Sequence, residues 1–258
     1  MTRLAATVVL LRDGVHGLEV LMIERPHRGW FAGAWVFPGG KVDPDDRPEF
    51  SRPPRGVSDA PAVDARAGEA GVYAPDRAGD TLVDTRQFAA DDALEEAAAR
   101  RAAVREVREE TALAVDPASL VVTARWEPPA DAVPRFRTWF YLAESPHDEI
   151  ALAEAEAIAY RWLTPAAALD QHADGRLLLV QPTWVTLHRL REHDTVAEAL
   201  AAARVARFRD HSTRHTPDDT VMLWRPDVAF DDASLLHADG PRHRLDISRL
   251  PWVYTCTE

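Results

Sequence analysis

Three glutamates, Glu106, Glu109 and Glu110, sit within the stretch Arg105-Glu106-Val107-Arg108-Glu109-Glu110. The segment around them, from Asp91 through Ala97-Ala98-Ala99 to Leu113, holds strong helix formers and neither glycine nor proline. Asp91 or Asp92 supplies an N-cap. At about 100° per residue, the three glutamates fall on one arc of such a helix. Val104, Val107 and Thr111 fall on another arc and suit a core. Like charges at i, i+4 destabilise a bare helix by about 0.2–0.5 kcal/mol per pair. A divalent cation would compensate, and carboxylate oxygens suit hard ions such as Mg²⁺ or Mn²⁺. For the hexapeptide by itself, a solvated acidic helix is an equally good reading.

The upstream sequence shifts that balance. Phe37-Pro38-Gly39-Gly40-Lys41-Val42-Asp43 reads as a strand end running into a glycine turn. The two stretches together resemble the Nudix hydrolase signature: a glycine, five residues, Glu, seven residues, then Arg-Glu-apolar-x-Glu-Glu-x-Gly-apolar. Gly40 matches the first glycine, and Arg105, Glu106, Val107, Glu109, Glu110 and Leu113 match the second half. Asp46 stands in place of the first Glu and keeps the carboxylate. Ala112 stands in place of Gly, a change expected to suit the helix. Residues 47–104 separate the two halves where the family has seven residues. An interrupted box of this kind resembles one branch of the family, the peroxisomal coenzyme A diphosphatases and their bacterial relatives.

The resemblance implies a fold, a chemistry and a set of site residues. The fold is an α/β/α sandwich with a mixed sheet, here carrying a long insertion inside the box and a C-terminal extension. The reaction is hydrolysis of a nucleoside diphosphate linked to another moiety, with coenzyme A or an acyl-coenzyme A as the expected substrate. Glu106, Glu109 and Glu110 become metal ligands for Mg²⁺ or Mn²⁺. A further glutamate is expected upstream of a strand tryptophan: Glu156, six residues before Trp162, is the first choice and Glu154 the second. The general base is one of the helix glutamates or Glu156. Arg105 would hold Glu109 through an i, i+4 contact, and Gly39 and Gly40 would let backbone approach the helix.

Arginines supply the other candidate contacts, because Lys41 is the only lysine and arginine suits bidentate phosphate binding. Arg25, Arg28, Gly33 and Phe37 resemble part of an arginine motif of coenzyme A-cleaving Nudix enzymes, although Pro26 replaces a small residue and the spacing to Gly33 is one residue long. Arg135 and Arg137 share one face of a strand by period-2 alternation. Solvated loop or strand arginines are the plainer reading of all four. Together with the Gly39-Gly40 turn they form the expected substrate-binding set.

The remaining chain must position these groups. Residues 3–12 and 18–25 are apolar, β-branched runs joined by a glycine-containing turn, a hairpin signal. Residues 44–90, with six prolines, form the insertion, read as a lid, a pocket wall or a disordered stretch. Strands are expected at 120–126, 135–142 and 158–163, a helix after Thr164-Pro165, and two further helices at 182–192 and 194–208. Residues 1–175 are taken as the Nudix domain and 176–258 as a helical and short-β extension packed on it. His211, His215, His237 and His243 have no zinc-like spacing and read as surface residues.

Composition bounds the function. The 258 residues are 46% hydrophobic, enough for a core, and the net charge of −12 argues against nucleic acid or a membrane surface as a partner. The single Cys256 fits a reducing, cytoplasmic setting. The partner is then a small nucleotide substrate, with a homodimer left open. Two alternatives stand beside coenzyme A hydrolysis. One is hydrolysis of ADP-ribose, NADH or nucleoside triphosphates. The other is a non-catalytic nucleotide sensor, a type that usually lacks a helix glutamate; all three are present here.

Overall fold

The computed structural model describes residues 2–29, 31–47, 90–153 and 155–257. Its organising strand is β1 (Arg3–Gly14), which turns back antiparallel into β2 (Gly17–Glu24). Along β1, Val8 and Leu10 enter one hydrophobic core and Val9 and Leu11 the other, all fully buried. An apolar run this continuous cannot leave a solvated face, so the strand takes helices on both sides. β3 (Trp35–Val36) lies against the end of β2. β4 (Gly39–Lys41) pairs with the first half of β1, placing Gly40 opposite Ala6. A single 3₁₀ turn, Pro44–Asp46, follows.

The helix α1 (Ala90–Thr111) crosses one face of the sheet. Ala99, Ala102, Ala103 and Val107 pack there beneath Ala6, Val8, Leu10, Trp139 and Tyr141. Small alanines let the helix lie close to the sheet. β5 (Val121–Glu127) and β6 (Phe136–Glu144) form an antiparallel pair with a bulge between Val122 and Ala124, and β6 runs parallel to β1. β7 (Ala159–Leu163) pairs with β2. The sheet is therefore mixed, as the sequence resemblance implied.

The opposite face is covered by α2 (Pro165–Ala173), α3 (Gln181–Leu190) and α4 (Val196–Val205). Thr164 caps α2 by accepting from Ala167 N–H, and Trp184, Leu187 and Leu190 of α3 enter the core as their spacing predicts. β8 (Arg209–Ser212) then adds to the main sheet, parallel to β5. The chain ends in a second sheet of β9 (Arg214–His215), β10 (Val221–Leu223), β11 (Arg242–Asp246) and β12 (Val253–Thr257), paired in order 12-11-10-9.

Several expectations need correction. The helix is already under way at Ala90, so Asp91 and Asp92 lie inside its first turn instead of capping it. Asp92 accepts from Arg125 at 2.6 Å. His211 and His243 are not surface residues: they are 2% and 0% exposed, packed with Trp126 and Trp224 where the second sheet meets the first. Local spacing carries no trace of that burial, because the partners come from distant strands. The insertion lies outside the described residues from 48 to 89.

Ala112 is the third correction. It ends α1 in the left-handed region, at φ 63°, where its N–H bonds to the Arg108 carbonyl. Glycine is favoured at such a helix end because a Cβ is strained there. The alanine therefore works against the helix terminus instead of extending the helix. Replacing Ala112 by Gly is expected to stabilise the protein by about 0.5–1 kcal/mol, the relief of strain less the entropy glycine adds to the unfolded chain. Urea melts of the two proteins check this, and an unchanged or lower stability contradicts it.

Candidate functional site

The site forms where the β4 turn meets the side of α1. Gly39 N–H donates to Glu110 Oε2 at 2.8 Å, joining residues 71 apart in sequence. A Cβ on Gly39 would lie 2.3 Å from the Ala6 carbonyl oxygen and 2.7 Å from Thr7 Cα, both immobile backbone. A Cβ on Gly40 would lie 2.3 Å from the carboxyl carbon of Glu106. Gly39 is thus required for the strand to pair this closely on β1, while a side chain at Gly40 would displace the Glu106 carboxylate.

Arg105 ties the second half of the motif to the first. Its Nε and Nη2 donate to the two oxygens of Asp46 at 3.2 and 2.8 Å, and Nη2 also donates to the Lys41 carbonyl at 2.9 Å. Its Nη1 donates to Glu106 at 3.0 Å and to Glu109 at 2.8 Å. Asp46 is 5% exposed and also accepts from Asp43 N–H. Burial is the largest single influence and raises its pKa, but the Arg105 hydrogen bond, the Asp43 N–H bond and the Arg105 and Arg101 charges together outweigh it and leave the carboxyl below its ordinary value. The sequence flags Asp46 only as an acid six positions after Gly40. Its role as the anchor of Arg105 appears once residues 59 apart are brought together.

One carboxylate oxygen each from Glu106, Glu110 and Glu156 lies within 4.8 Å of the others. Glu156 reaches the group from the turn before β7, whose Ala157 N–H and Glu156 N–H both bond to the Ala153 carbonyl. Glu109 is not a member of this trio; its side chain is half exposed and held by Arg105. Glu154 lies outside the described residues.

The trio is short of positive charge. Burial raises the pKa of Glu110 to about 8, and Glu106 and Glu156 push it further in that direction. The Gly39 hydrogen bond and the nearby Arg25 charge oppose them. Glu106 is raised as well, by burial first, with Glu109 and Glu156 adding to it against the pull of Arg105. Arg25 Nε is buried and has no hydrogen-bond partner among the described residues.

The other predicted contacts are placed less centrally. Arg28 is exposed on the loop before Gly33. Arg135 pairs with Glu127 at 3.2 Å, and Arg137 pairs with Glu95 and Glu127 at 3.3 and 3.4 Å. Both strand arginines do share one face, since both reach Glu127.

Comparison with known proteins agrees with this geometry. The family model for the NUDIX domain matches residues 87–181. The chain carries a NUDIX domain. The match begins after the glycine turn, so the Gly39-Gly40-Asp46 half of the Nudix site is supplied by the fold and not by that match. Among solved structures, a NUDIX hydrolase from Alicyclobacillus acidocaldarius is similar at 23% identity and a TM-score of 0.56, over 78% of this chain and 96% of that one. A MutT NUDIX hydrolase from Burkholderia pseudomallei aligns at 18% identity and a TM-score of 0.43, over 74% of this chain and 98% of that one. The likeness to the first establishes a Nudix fold. No curated protein matches the chain.

The carboxylate trio sets a pH dependence for the metal-free Nudix domain. The folded-state pKa of Glu110, about 8, lies above its ordinary 4.5, so the folded state binds this proton more tightly than the unfolded state does. The penalty for ionising Glu110 is absent below about pH 4.5 and fully developed above about pH 8. Metal-free stability should therefore decline as pH rises through that window. Glu110→Gln should raise metal-free stability at pH 8 and flatten this part of the profile. Thermal melts in EDTA from pH 5 to 8.5 check both, and a mutant less stable than the parent at pH 8 contradicts the electrostatic reading.

Proposed function

We propose that this Nudix pyrophosphohydrolase cleaves the diphosphate of a nucleoside diphosphate derivative with Mg²⁺ or Mn²⁺ held by Glu106, Glu110 and Glu156. The observation that carries the reading is the convergence of three carboxylates whose charge the surrounding protein leaves largely unneutralised. Their donors are all hard oxygens, which fit these ions and not a soft metal.

A diphosphate presents several negative oxygens that repel an attacking water. A bound divalent ion supplies charge neutralisation and a more acidic water. The chain's own residues do the positioning. Gly39 N–H fixes one oxygen of Glu110, and Arg105 fixes Glu106 against the Asp46 anchor. Arg105 also holds Glu109 at the exposed edge of the trio. In this reading Glu109 is either a ligand recruited with the ion or the carboxylate that takes the water's proton. Arg25, whose charge acts on Glu110, is a candidate cation for the substrate's phosphates.

The narrower proposal is that the substrate is coenzyme A or an acyl-coenzyme A, cleaved to 3′,5′-ADP and 4′-phosphopantetheine or its acyl form. It rests on the interrupted box and the partial arginine motif. The cleft at the start of α1, about 770 Å³, supports it: Arg3, Lys41, Arg47 and Arg137 line it beside Asp43 and Glu95. Cations there suit the extra 3′-phosphate that separates coenzyme A from ADP-ribose and NADH.

Two experiments test the two levels separately. Glu106→Gln and Glu110→Gln should each slow turnover by roughly a hundredfold or more, since metal catalysis contributes several kcal/mol at about 1.36 kcal/mol per decade. Activity that survives EDTA rejects the metal assignment. For the substrate, coenzyme A, dephospho-coenzyme A, ADP-ribose and NADH are compared by product mass. A charge-assisted contact contributes about 1.5–3 kcal/mol, so Arg28→Ala or Arg137→Ala should cut coenzyme A cleavage about tenfold to a hundredfold while sparing the dephospho form. Faster wild-type cleavage of ADP-ribose or NADH than of coenzyme A overturns the narrower proposal only.

A further inference from the structure

The turn between β5 and β6, residues 128–135, reaches the second sheet through a carboxylate–imidazole contact. Both oxygens of Asp131 lie 3.2 Å from His215 Nε2 on β9. The other ring nitrogen, Nδ1, faces acceptors of its own hairpin: the Thr216 carbonyl at 3.0 Å and Asp219 Oδ1 at 2.5 Å. Asp219 stands in the turn between β9 and β10, where it takes a left-handed backbone at φ 58° and its N–H bonds to the Thr216 carbonyl. His215 is partly buried, and the two aspartates that face it are exposed. Asp218, the other carboxylate of that turn, is turned to the Thr216 and Thr220 hydroxyls and accepts from both.

This geometry fixes the charge on the ring. A neutral imidazole carries one N–H and one lone pair. Here both nitrogens face acceptors. The imidazolium alone can donate at both ends, so the contact as built holds the extra proton. The Thr216 carbonyl first, and then the Asp131 hydrogen bond and the charges of Asp219 and Asp131, raise the His215 pKa above its ordinary value, with burial opposing them. The same hydrogen bond lowers the Asp131 carboxyl.

The two ends of the ring are not equivalent once the proton leaves. Nδ1 has two local acceptors, one on the next residue and one four residues on, so it keeps the remaining hydrogen. Nε2 then turns a lone pair toward a carboxylate, and the two repel. We infer that His215 is a proton-operated clasp, which holds the 128–135 turn on the second sheet when charged and releases it when neutral. The turn joins Glu127 to Arg135, which pair across its feet, so the clasp governs how firmly the segment ahead of Arg135 and Arg137 is held. Thr213 N–H bonds to the Glu127 carbonyl at 2.9 Å independently of the ring, so release is confined to the turn and leaves the sheets joined. Because the folded pKa is raised, the clasp is complete below the ordinary 6.5 and is lost as pH rises through the folded value.

The test is NMR of the full chain across this pH range, with the ring signals of His215 assigned by their absence in His215→Gln. Its pKa is expected above 6.5 in the parent and lower in Asp131→Asn than in the parent. Nuclear Overhauser contacts between the His215 ring and the Asp131 β-protons should be present below that pKa and lost above it. The amide signals of Ala130 and Ala132 should titrate with His215 in the parent and stop doing so in Asp131→Asn. These readouts need neither metal nor substrate, so they stand apart from the hydrolase reading. A His215 pKa at or below 6.5, a pKa unchanged in Asp131→Asn, or ring-to-Asp131 contacts that persist above the titration each overturns the inference.

Discussion

The close approach of the Gly39-Gly40 backbone to the acidic side of α1 is the constraint on which the rest of the site depends. It needs a strand with no Cβ at Gly39, where the β1 backbone at Ala6 and Thr7 leaves no room, and none at Gly40, which leaves the Glu106 carboxylate in place. It also needs a helix lying low on the sheet, which the alanines at 99, 102 and 103 permit. The Gly39 N–H bond to Glu110 and the Arg105 fork on Asp46 then lock the two halves together across the insertion. A side chain at either glycine would push against backbone or against Glu106, so the same contact that closes the fold also sets where the carboxylates stand.

That arrangement carries an electrostatic cost. Glu106 and Glu110 sit partly or wholly out of water, near Glu156, with Arg105 and Arg25 as the nearby cations. Arg105 is shared among Asp46, Glu106 and Glu109, so it cannot neutralise them all. Buried like charges left in this state are characteristic of functional sites. An ion bound by them would be linked to folding through the same equilibrium.

Much of this was legible in the chain, and particular residues show why. The helical periodicity around Glu106 and the glycine pair at 39–40 are local signals, and so are the alternation in β1 and the Thr164-Pro165 cap. What was not legible depends on distant partners. Glu156 could be proposed from its offset to Trp162, but its meeting with Glu106 and Glu110 is a product of the β7–β2 pairing. Arg135 and Arg137 read as phosphate contacts because their alternation is visible and the opposing Glu127 and Glu95 are not. Ala112 read as helix because propensity favours it, whereas the backbone there turns left-handed to leave the helix. His211 and His243 read as surface because nothing in their spacing announces that the second sheet closes over them.

The central claim is that the turn at Gly39-Gly40 and the helix α1 together create one divalent-ion site at Glu106, Glu110 and Glu156. The most direct test is a crystal of the full chain soaked in Mn²⁺ and measured for anomalous scattering. The account predicts a peak bounded by oxygens of these three glutamates at about 2.0–2.2 Å, typical of a small hard divalent ion, and its loss in a crystal of Glu110→Gln. A peak elsewhere, or one unchanged in that variant, would contradict it.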